Sequence, residues 1–391
     1  MKKFISLLLA FSCLFLVACD NQNTNKTEKQ KFSVYYFDYF DTETTIVGYE
    51  ETKEDFDANC AEIKALLEEY HKLYDIYTVY NGVKNLATVN KVVDGEHEIV
   101  SVDKKIIDML LFAKEMYVKT NGKVNVAMGS VLSIWHRYRT NGEKNPLKAE
   151  LPPMEKLQEA AKHTDINNVI IDTENSTVYL ADPEMTLDVG AIAKGYAVEK
   201  IAQILEEKGI TGYILNVGGN IRTIGTRGDN TPWLIGVENP GIENGEAHIA
   251  YLNLSGEALV TSGSYQRYYT VDGVDYHHII DPQTLMPGTN FKSVSILCKD
   301  SGLGDALSTA VFTMSYEEGY ALIESIDGVE AMWVLPNGEK RFSTGFQNYT
   351  YENEKWWYMY TIIFFCKITW KSYKKFYNYN VIFFDDFLEA E

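Results

Sequence analysis

The sequence feature that most constrains this fold is residues 186–198, Thr-Leu-Asp-Val-Gly-Ala-Ile-Ala-Lys-Gly-Tyr-Ala-Val. The stretch begins as an apolar strand that should stop at Asp188, and apolar residues recur at helical spacing from Gly195 onward. Gly190 lies in the intervening turn, where a missing side chain lets the backbone bend or approach a ligand. With Lys194, such a strand–turn–helix presents backbone N–H groups and positive charge to phosphate. A glycine-terminated strand with a surface lysine fits equally well, since no established phosphate-loop spacing is present.

The N-terminus is typical of an exported protein. Lys2 and Lys3 precede an apolar segment of signal-peptide length, too short to span a membrane comfortably. The sequence Leu-Val-Ala-Cys ending at Cys19 resembles a lipobox, in which the cysteine is lipidated once the signal peptide, residues 1–18, is removed. An ordinary secretory signal is the alternative. The polar residues 19–31 predict a flexible tether, so we expect an exported protein held by lipid on the extracytoplasmic face of the cell membrane.

Composition restricts the partners that the chain can bind. The 391 residues carry a formal net charge of −19 and are 46% hydrophobic, which allows a sizeable core. An acidic surface argues against nucleic acid and against electrostatic binding to anionic lipid. Any phosphate site must therefore be built locally, from backbone donors, a few cations or a metal. Of the cysteines beyond the lipobox, Cys60, Cys298 and Cys366 have no metal-ligand spacing, and we expect Cys60 and Cys298 to be buried.

Helical and strand patterns alternate along the chain, which predicts a mixed α/β fold of the α+β class. Helical periodicity covers residues 54–73, 102–120, 154–163, 195–205, 302–314 and 316–326. Strand patterns cover residues 32–48 with a break at 40–42, 168–172, 178–180, 185–189, 213–217, 234–238, 247–254, 259–261, 264–271, 276–280, 292–298 and 331–335. Asn121-Gly122 predicts a helix end, Asp272-Gly273 a hairpin turn, and residues 141–153 a polar loop.

Two glycine-containing strand ends offer ligand contacts. Residues 216–221, Asn-Val-Gly-Gly-Asn-Ile, combine glycines that admit a close backbone approach with amides that can bind base or ribose edges. Residues 261–267, Thr-Ser-Gly-Ser-Tyr-Gln-Arg, place hydroxyls and an arginine where they suit phosphate or ribose. Taken alone, an ordinary tight turn explains each of them better.

Two further segments carry ionisable groups. His278 follows His277 on a strand and precedes Asp281, which could orient a ring nitrogen. Adjacent strand histidines face opposite sides, so they rarely share one metal. Asp305 and Thr309 are four residues apart on one helical face, and their oxygens suit Mg²⁺ that also binds phosphates. A structural histidine and an aspartate near a helix N-terminus are the plainer alternatives.

Together these motifs resemble the ApbE family, the FAD:protein FMN transferases. The patterns Asp-x-Gly-x-x-x-Lys-Gly, Asn-x-Gly-Gly-Asn, Thr-Ser-Gly-x-x-x-Arg, His-Ile-Ile-Asp-Pro and Asp-Ala-x-Ser-Thr occur in the order and spacing of that family. Upstream, residues 40–42 (Phe-Asp-Thr) lie where the family usually has Met-Gly-Thr, and Tyr80 precedes Asn90 as in its Tyr…Asn segment. Residues 125–129 (Asn-Val-Ala-Met-Gly) match a substrate-pocket strand end. The resemblance covers roughly residues 33–351.

The resemblance implies a fold and an activity. The fold would be ApbE-like and T-fold-related, with two closely packed α/β subdomains within residues 32–351 and an FAD/Mg²⁺ site between them. The activity would split FAD at its pyrophosphate, transfer FMN to a Thr or Ser hydroxyl of an acceptor flavoprotein, and release AMP. The acceptor would carry an Asp-Gly-x-[ST]-[GA]-[ST]-like motif. Mg²⁺ on the pyrophosphate would make AMP a better leaving group.

The resemblance also implies roles for individual residues. His278, Asp305 and Lys194 would form the catalytic group, with His278 either the general base toward the acceptor hydroxyl or a group that positions the pyrophosphate. The groups expected to hold Mg²⁺ are the Ala191 carbonyl, Asp305 and Thr309, with Ser308 as a weaker candidate. The expected FAD contacts are Phe40, Tyr80, Val126, Ala127, Met128, Asp188, Lys194, Asn216, Gly219, Ser262, His278 and Ile279. Tyr77 competes with Tyr80 as the ring over the flavin.

Two other functions stay open at this point. An FAD-binding or FAD pyrophosphatase lipoprotein without protein flavinylation would need nearly the same site. A solute-binding lipoprotein of a transporter would fit the lipobox and size, but it would leave Asp305, Thr309 and His278 without a role.

Residues 352–391 depart from the family pattern as an aromatic and basic tail. Its apolar run is too short to span a bilayer but could lie at a membrane interface. We favour a translated frameshift or read-through with no selected structure, and expect low order there.

Overall fold

The structure, a computed structural model, describes residues 28–241 and 246–351. The predicted signal peptide, Cys19 and the tail 352–391 lie outside the described residues. The strands are β1 (Gln30–Tyr39), β2 (Thr42–Glu50), β3 (Val92–Val93), β4 (Glu96–His97), β5 (Val100–Ser101), β6 (Val169–Asp172), β7 (Thr177–Leu180), β8 (Tyr213–Val217), β9 (Asn220–Ile224), β10 (Trp233–Glu238), β11 (His248–Leu254), β12 (Ala258–Gly263), β13 (Tyr268–Val271), β14 (Val274–His277), β15 (Ser293–Cys298), β16 (Glu330–Val334) and β17 (Lys340–Phe342). The helices are α1 (Lys53–Tyr74), α2 (Leu86–Val89), α3 (Lys104–Lys119), α4 (Gly129–Lys144), α5 (Met154–Ala160), α6 (Ala193–Glu207), α7 (Ser301–Phe312) and α8 (Tyr316–Glu324). Short 3₁₀ turns cover Val126–Met128, Pro146–Lys148, Ala161–His163, Ile166–Asn168 and Phe346–Tyr349.

An eight-stranded antiparallel sheet organises the fold, with strand order β1-β2-β8-β9-β12-β15-β16-β17. Helices α1, α6 and α7 pack on one face, and the hairpin β10–β11 covers the other. Strand β16 shows the resulting alternation. Ala331 and Trp333 point into the helix-side core, whereas Met332 and Val334 point into the cluster under the hairpin. The predicted mixed α/β fold is therefore confirmed.

The helices form where the sequence supplies both a cap and an apolar stripe. The Thr52 side chain accepts from Asp55 N at the start of α1. The buried stripe of α1 follows helical spacing through Phe56, Cys60, Ile63, Leu67 and Tyr70. After α3, Asn121 and Gly122 adopt positive φ values of 51° and 79°, as the predicted helix end requires. The main hydrophobic cluster runs continuously from α1 and α3 to α6, α7 and β16, so the predicted subdomains share one principal core. None of the described helices is long and apolar enough to span a membrane.

Several predicted elements differ in the structure. Residues 185–189 do not form the predicted strand. The backbone of Leu187 pairs with the Asn90 side chain, and that of Asp188 with the turn at Val126, rather than with a strand. The predicted loop 141–153 begins later, since α4 continues to Lys144. The Asn-Gly pair at 141–142 is typical of a turn. Here the glycine is required for packing inside the helix, because a side chain at Gly142 would collide with the ring of Tyr269. Strand β1 takes in Gln30 and Lys31, the last residues of the predicted tether.

A buried ion pair ties α6 to the sheet and to α7. The Arg222 guanidinium on β9 donates to Glu199 Oε2 at 3.0 Å and to Glu206 Oε1 at 3.0 Å, both on α6. Glu199 also accepts from the Ser301 amide at 2.9 Å, at the first residue of α7. The side chains of Arg222 and Glu199 are each only 6% exposed. This network fixes the two helices that carry the candidate site.

We expect Arg222→Met to lower the free energy of unfolding by about 3–5 kcal/mol, because Glu199 would keep a buried carboxylate without its partner. Urea unfolding followed by circular dichroism measures this. As a control, Arg341→Met removes an exposed pair with Glu339 and should cost less than about 1 kcal/mol. Equal losses in the two variants would contradict a special role for the buried pair.

Candidate active site

A cleft of about 250 Å³ opens where the segment before α6 meets α4, α7 and the ends of β9, β12 and β14. Residues from the central segment 186–198, from the glycine-containing strand ends, from the histidine segment and from α7 contribute to its wall. The predicted residues that line the cleft are Met128, Asp188, Ala191, Lys194, Ser262, His278, Ile279, Asp305 and Thr309. Folding therefore brings together side chains that lie far apart in the sequence.

The segment 186–190 is held in place by long-range contacts. The Asn90 amide pairs with both backbone groups of Leu187, at 2.7 Å and 2.9 Å. Asp188 N donates to the Val126 carbonyl at 2.8 Å. The Asp188 carboxylate accepts from Gly190 N at 2.9 Å and faces the cleft. Burial raises the pKa of Asp188, although the Gly190 N–H opposes this.

Asp305 is the most constrained acid of the cleft. It is 4% exposed and accepts a hydrogen bond from Gly195 N, in the first turn of α6, at 2.8 Å. Lys194 Nζ lies 3.7 Å from the same oxygen. Burial raises the pKa of Asp305, while Lys194, Gly195 and Asn220 lower it. The sequence predicted that this helix N-terminus would face phosphate. In the structure its Gly195 amide donates to Asp305 instead.

The oxygen atoms around Asp305 suit a hard cation. Within the described ranges, neither the Thr309 hydroxyl nor the Ala191 carbonyl has a hydrogen-bond partner, and both residues line the cleft. The buried Asn220 Oδ1 is likewise unpaired. Carboxylate, hydroxyl and carbonyl oxygens are ligands that Mg²⁺ accepts, usually with water and substrate phosphate completing its shell. The described part of the chain holds no cluster of three or more His, Cys, Asp or Glu that could bind a metal, so a cation here would depend on this mixed set.

His278 lies on the cleft wall with three cations around it. Its Nδ1 is 3.2 Å from the Arg267 carbonyl, which can only accept, so Nδ1 carries the proton of the neutral ring and Nε2 is free to take one. The ring is accessible from the open cleft, but protein atoms crowd its other sides. This burial, followed by the charges of Arg267, Arg139 and more distantly Lys194, lowers the pKa of His278. His278 is therefore neutral at pH 7 and can act as a base.

Two aromatic predictions are corrected by local contacts. Phe40 does not line the cleft; it sits in the β1–β2 turn with φ 54° and packs on the His71 ring at 5.6 Å. Tyr80 also lies outside the cleft, because its hydroxyl donates to Asp75 at 2.7 Å. Burial and Asp75 raise the pKa of Tyr80 to about 12. Tyr77, the competing ring, lines the cleft instead.

Four further contacts predicted for FAD lie outside the cleft wall. Val126 and Ala127 belong to a 3₁₀ turn rather than a strand end, and are 1% and 0% exposed. They lie in the core, and the Val126 carbonyl supports Asp188. Asn216 caps its own turn by accepting from Gly219 N at 3.0 Å. Asn216 and Gly219 line an adjoining pocket that shares Gly218 with the cleft.

The weaker metal candidate, Ser308, does not line the cleft either. Its side chain is fully buried and bonds to Ser262 Oγ at 2.8 Å and to the Asp305 carbonyl at 3.0 Å. Ser308 therefore joins α7 to β12 beneath the cleft rather than facing a ligand.

Several cleft residues were not predicted from the sequence. Arg139 and His136 lie on α4, where the sequence suggested no site, and His136 Nδ1 is 3.3 Å from the Tyr77 hydroxyl. Asn220 and Arg267 belong to motifs whose amides and arginine were expected to suit base, ribose or phosphate, but neither was among the expected FAD contacts. The motifs that contain Asn220 and Arg267 were a sequence signal for these two residues, whereas no motif marked Arg139.

Comparisons with known proteins agree with this geometry. The sequence profile of the ApbE family matches residues 40–333. An FAD:protein FMN transferase from Treponema pallidum is 33% identical over 303 residues, covering 73% of this chain and 81% of that protein. One from Klebsiella pneumoniae is 30% identical over 282 residues, covering 72% and 83%. The crystal structure of the ApbE protein from Thermotoga maritima matches with a TM-score of 0.71 at 30% identity, over 83% of this chain and 100% of that one. The chain belongs to the ApbE family.

We expect His278 of the ligand-free protein to remain neutral at pH 6, where an unperturbed histidine with a pKa of about 6.5 is mostly protonated. Burial and neighbouring cations disfavour the imidazolium, so protonation needs a lower pH. NMR titration of the ring nitrogens, assigned with a His278→Gln variant, measures this. Arg267→Gln keeps the carbonyl contact but removes a charge, so the pKa of His278 should rise. A midpoint at or above 6.5 in the unsubstituted protein would contradict the assignment.

Proposed function

We propose that this chain transfers the FMN part of FAD to a Thr or Ser hydroxyl of an acceptor protein and releases AMP. The observation that carries the proposal is the convergence of Lys194, His278, Asp305 and Thr309 on one cleft. Its relatives named FAD:protein FMN transferase support the same reaction. The convergence also argues against a solute-binding lipoprotein, which would need neither the base nor the metal ligands.

The residues of the cleft can perform the protein's part of this reaction. Lys194, Arg139 and Arg267 supply positive charge for the pyrophosphate, so a dianionic substrate can bind an acidic protein. Neutral His278, with Nε2 unprotonated, can accept the proton of the acceptor hydroxyl as that oxygen attacks the FMN phosphorus. The bond from phosphorus to the AMP oxygen then breaks. The cleft contributes mainly by positioning the reactants and neutralising charge, as in other phosphoryl transfers.

Mg²⁺ fits the oxygens that face the cleft. Asp305, Thr309 and the Ala191 carbonyl would hold it, and it would stabilise the charge on the pyrophosphate as AMP leaves. The Gly195 amide and Lys194 orient Asp305 for that role and favour its ionised form against the burial that raises its pKa.

An aromatic pair at the edge of the cleft can stack on the ring systems of FAD. Tyr77 is 64% exposed and stands against His136, with ring centroids 5.4 Å apart. A flavin or adenine ring stacked on this pair would bury that apolar surface. We therefore assign the stacking role to Tyr77 rather than to Tyr80.

The decisive experiment incubates the purified chain with FAD, Mg²⁺ and an acceptor domain that carries the Thr motif, and follows AMP release and acceptor mass together. We expect one FMN added to the acceptor for each AMP released, and no reaction with EDTA. Asp305→Asn keeps the shape of the side chain but loses its charge, and should slow transfer by at least about 100-fold. Asp108→Asn, which alters an exposed pair with Lys104 on α3, is the matched control and should leave the rate unchanged.

Other outcomes separate the rival functions. AMP and free FMN without a gain in acceptor mass would identify an FAD pyrophosphatase or the wrong acceptor. FAD binding without AMP release would leave a flavin-binding lipoprotein and refute the transferase.

We also propose that the chain is exported and anchored to the membrane through lipid on Cys19. The lipobox-like sequence and the polar tether support this. Metabolic labelling with radioactive palmitate should mark the expressed protein, and Cys19→Ser should abolish the label and move the protein to the soluble fraction. A Cys19→Ser protein that stays labelled in the membrane fraction would refute the anchor.

A further inference from the structure

A second, cationic groove lies beside the C-terminal half of α4. Its volume is about 570 Å³, and the exposed side chains of Arg137, Lys148 and Lys156 line it together with Asn141 and Asn145. The three cations come from α4, the following 3₁₀ turn and α5, so the folded chain, not one run of basic sequence, creates the cluster.

The charge of this groove is not neutralised within the described structure. Among the described residues that line it, Glu150 is the one carboxylate, and no described acidic side chain forms an ion pair with Arg137, Lys148 or Lys156. On the same helix, by contrast, Arg139 pairs with Glu143 at 3.7 Å. Three unpaired cations around one concavity repel each other, and in a chain of net charge −19 they form a local field of opposite sign. Such a field attracts an anionic ligand.

Helix α4 links this groove to the cleft. His136 and Arg139 line the cleft, whereas Arg137 and Asn141 line the groove. Since an α-helix rises about 1.5 Å per residue, the two sets lie within about 8 Å of each other along the helix axis. At 3.6 residues per turn the two sets lie on different faces of α4, so an acceptor whose hydroxyl enters the cleft would reach the groove by extending past this helix, which is about 10–12 Å wide.

We infer that the groove binds an acidic segment of the acceptor protein and holds the acceptor while its hydroxyl enters the cleft; this inference rests on the proposed function. A concave site with amide side chains can hydrogen-bond a peptide backbone as well as pair with carboxylates. Lipid headgroups offer no peptide backbone to the exposed amides of Asn141 and Asn145, so the groove favours a protein segment.

The test compares the full mature chain with R137E/K148E/K156E. The control K84E/K91E/K299E makes the same charge change at exposed lysines outside the groove. The probe is a fluorescein-labelled peptide of ten glutamates, with binding followed by anisotropy at low salt. We expect the unsubstituted chain and the control to bind the peptide. The groove variant should bind it with an affinity at least about tenfold lower. Added salt should weaken binding.

Two further measurements complete the test. With an acceptor domain, the groove variant should show a KM for the acceptor raised about tenfold, and an unchanged KM for FAD. Equal peptide binding by the groove variant and the control would overturn the inference. So would groove-dependent binding to phosphatidylglycerol vesicles without peptide binding. If the unsubstituted chain transfers no FMN at all, the proposed function fails, and peptide binding still decides the groove.

Discussion

The hydrogen bond from the Gly195 amide to the buried Asp305 carboxylate is the contact on which the site depends. A buried carboxylate is costly unless donors and cations compensate it. Here a helix N-terminus and Lys194 do so. The contact also requires glycine, because a side chain at position 195 would lie 2.3 Å from the Ser301 carbonyl. The Lys-Gly pair therefore has two separate purposes: lysine compensates the charge, and glycine lets α6 approach α7.

A second polar contact sits one helical turn farther along α6. Glu199 accepts from the Ser301 amide and pairs with Arg222 on β9, so the start of α7 is held by α6 and indirectly by the sheet. The two contacts fix α7 near Ser301 and again at Asp305. Because ion-pair and hydrogen-bond geometry is directional, these contacts determine the rotation of α7 about its axis more closely than apolar packing does. Rotation of α7 decides whether Asp305 and Thr309 face the cleft.

Local sequence patterns predict most of the helices and strands, but they do not predict all of the site. Helices α1 and α3 and strand β8 follow from periodicity and capping, which act between near neighbours. Residues 185–189 have the apolar character of a strand, but their backbone partner is the side chain of Asn90, a contact between distant residues that no local pattern encodes. The choice between Tyr77 and Tyr80 has the same origin. Both rings are close in sequence, and the hydrogen bond of Tyr80 to Asp75 turns it away from the cleft.

The cations around the cleft connect substrate binding with the base. Burial lowers the pKa of His278 most, and Arg267, Arg139 and Lys194 lower it further in the ligand-free chain, so the ring stays neutral. An anionic pyrophosphate placed among these cations would offset their charge and favour the imidazolium, so the pKa of His278 would rise when substrate binds. Since the best general base has a pKa near the working pH, His278 would become a stronger base only when there is a phosphate to transfer. The same charges would then serve both to attract the substrate and to delay full basicity until it has arrived.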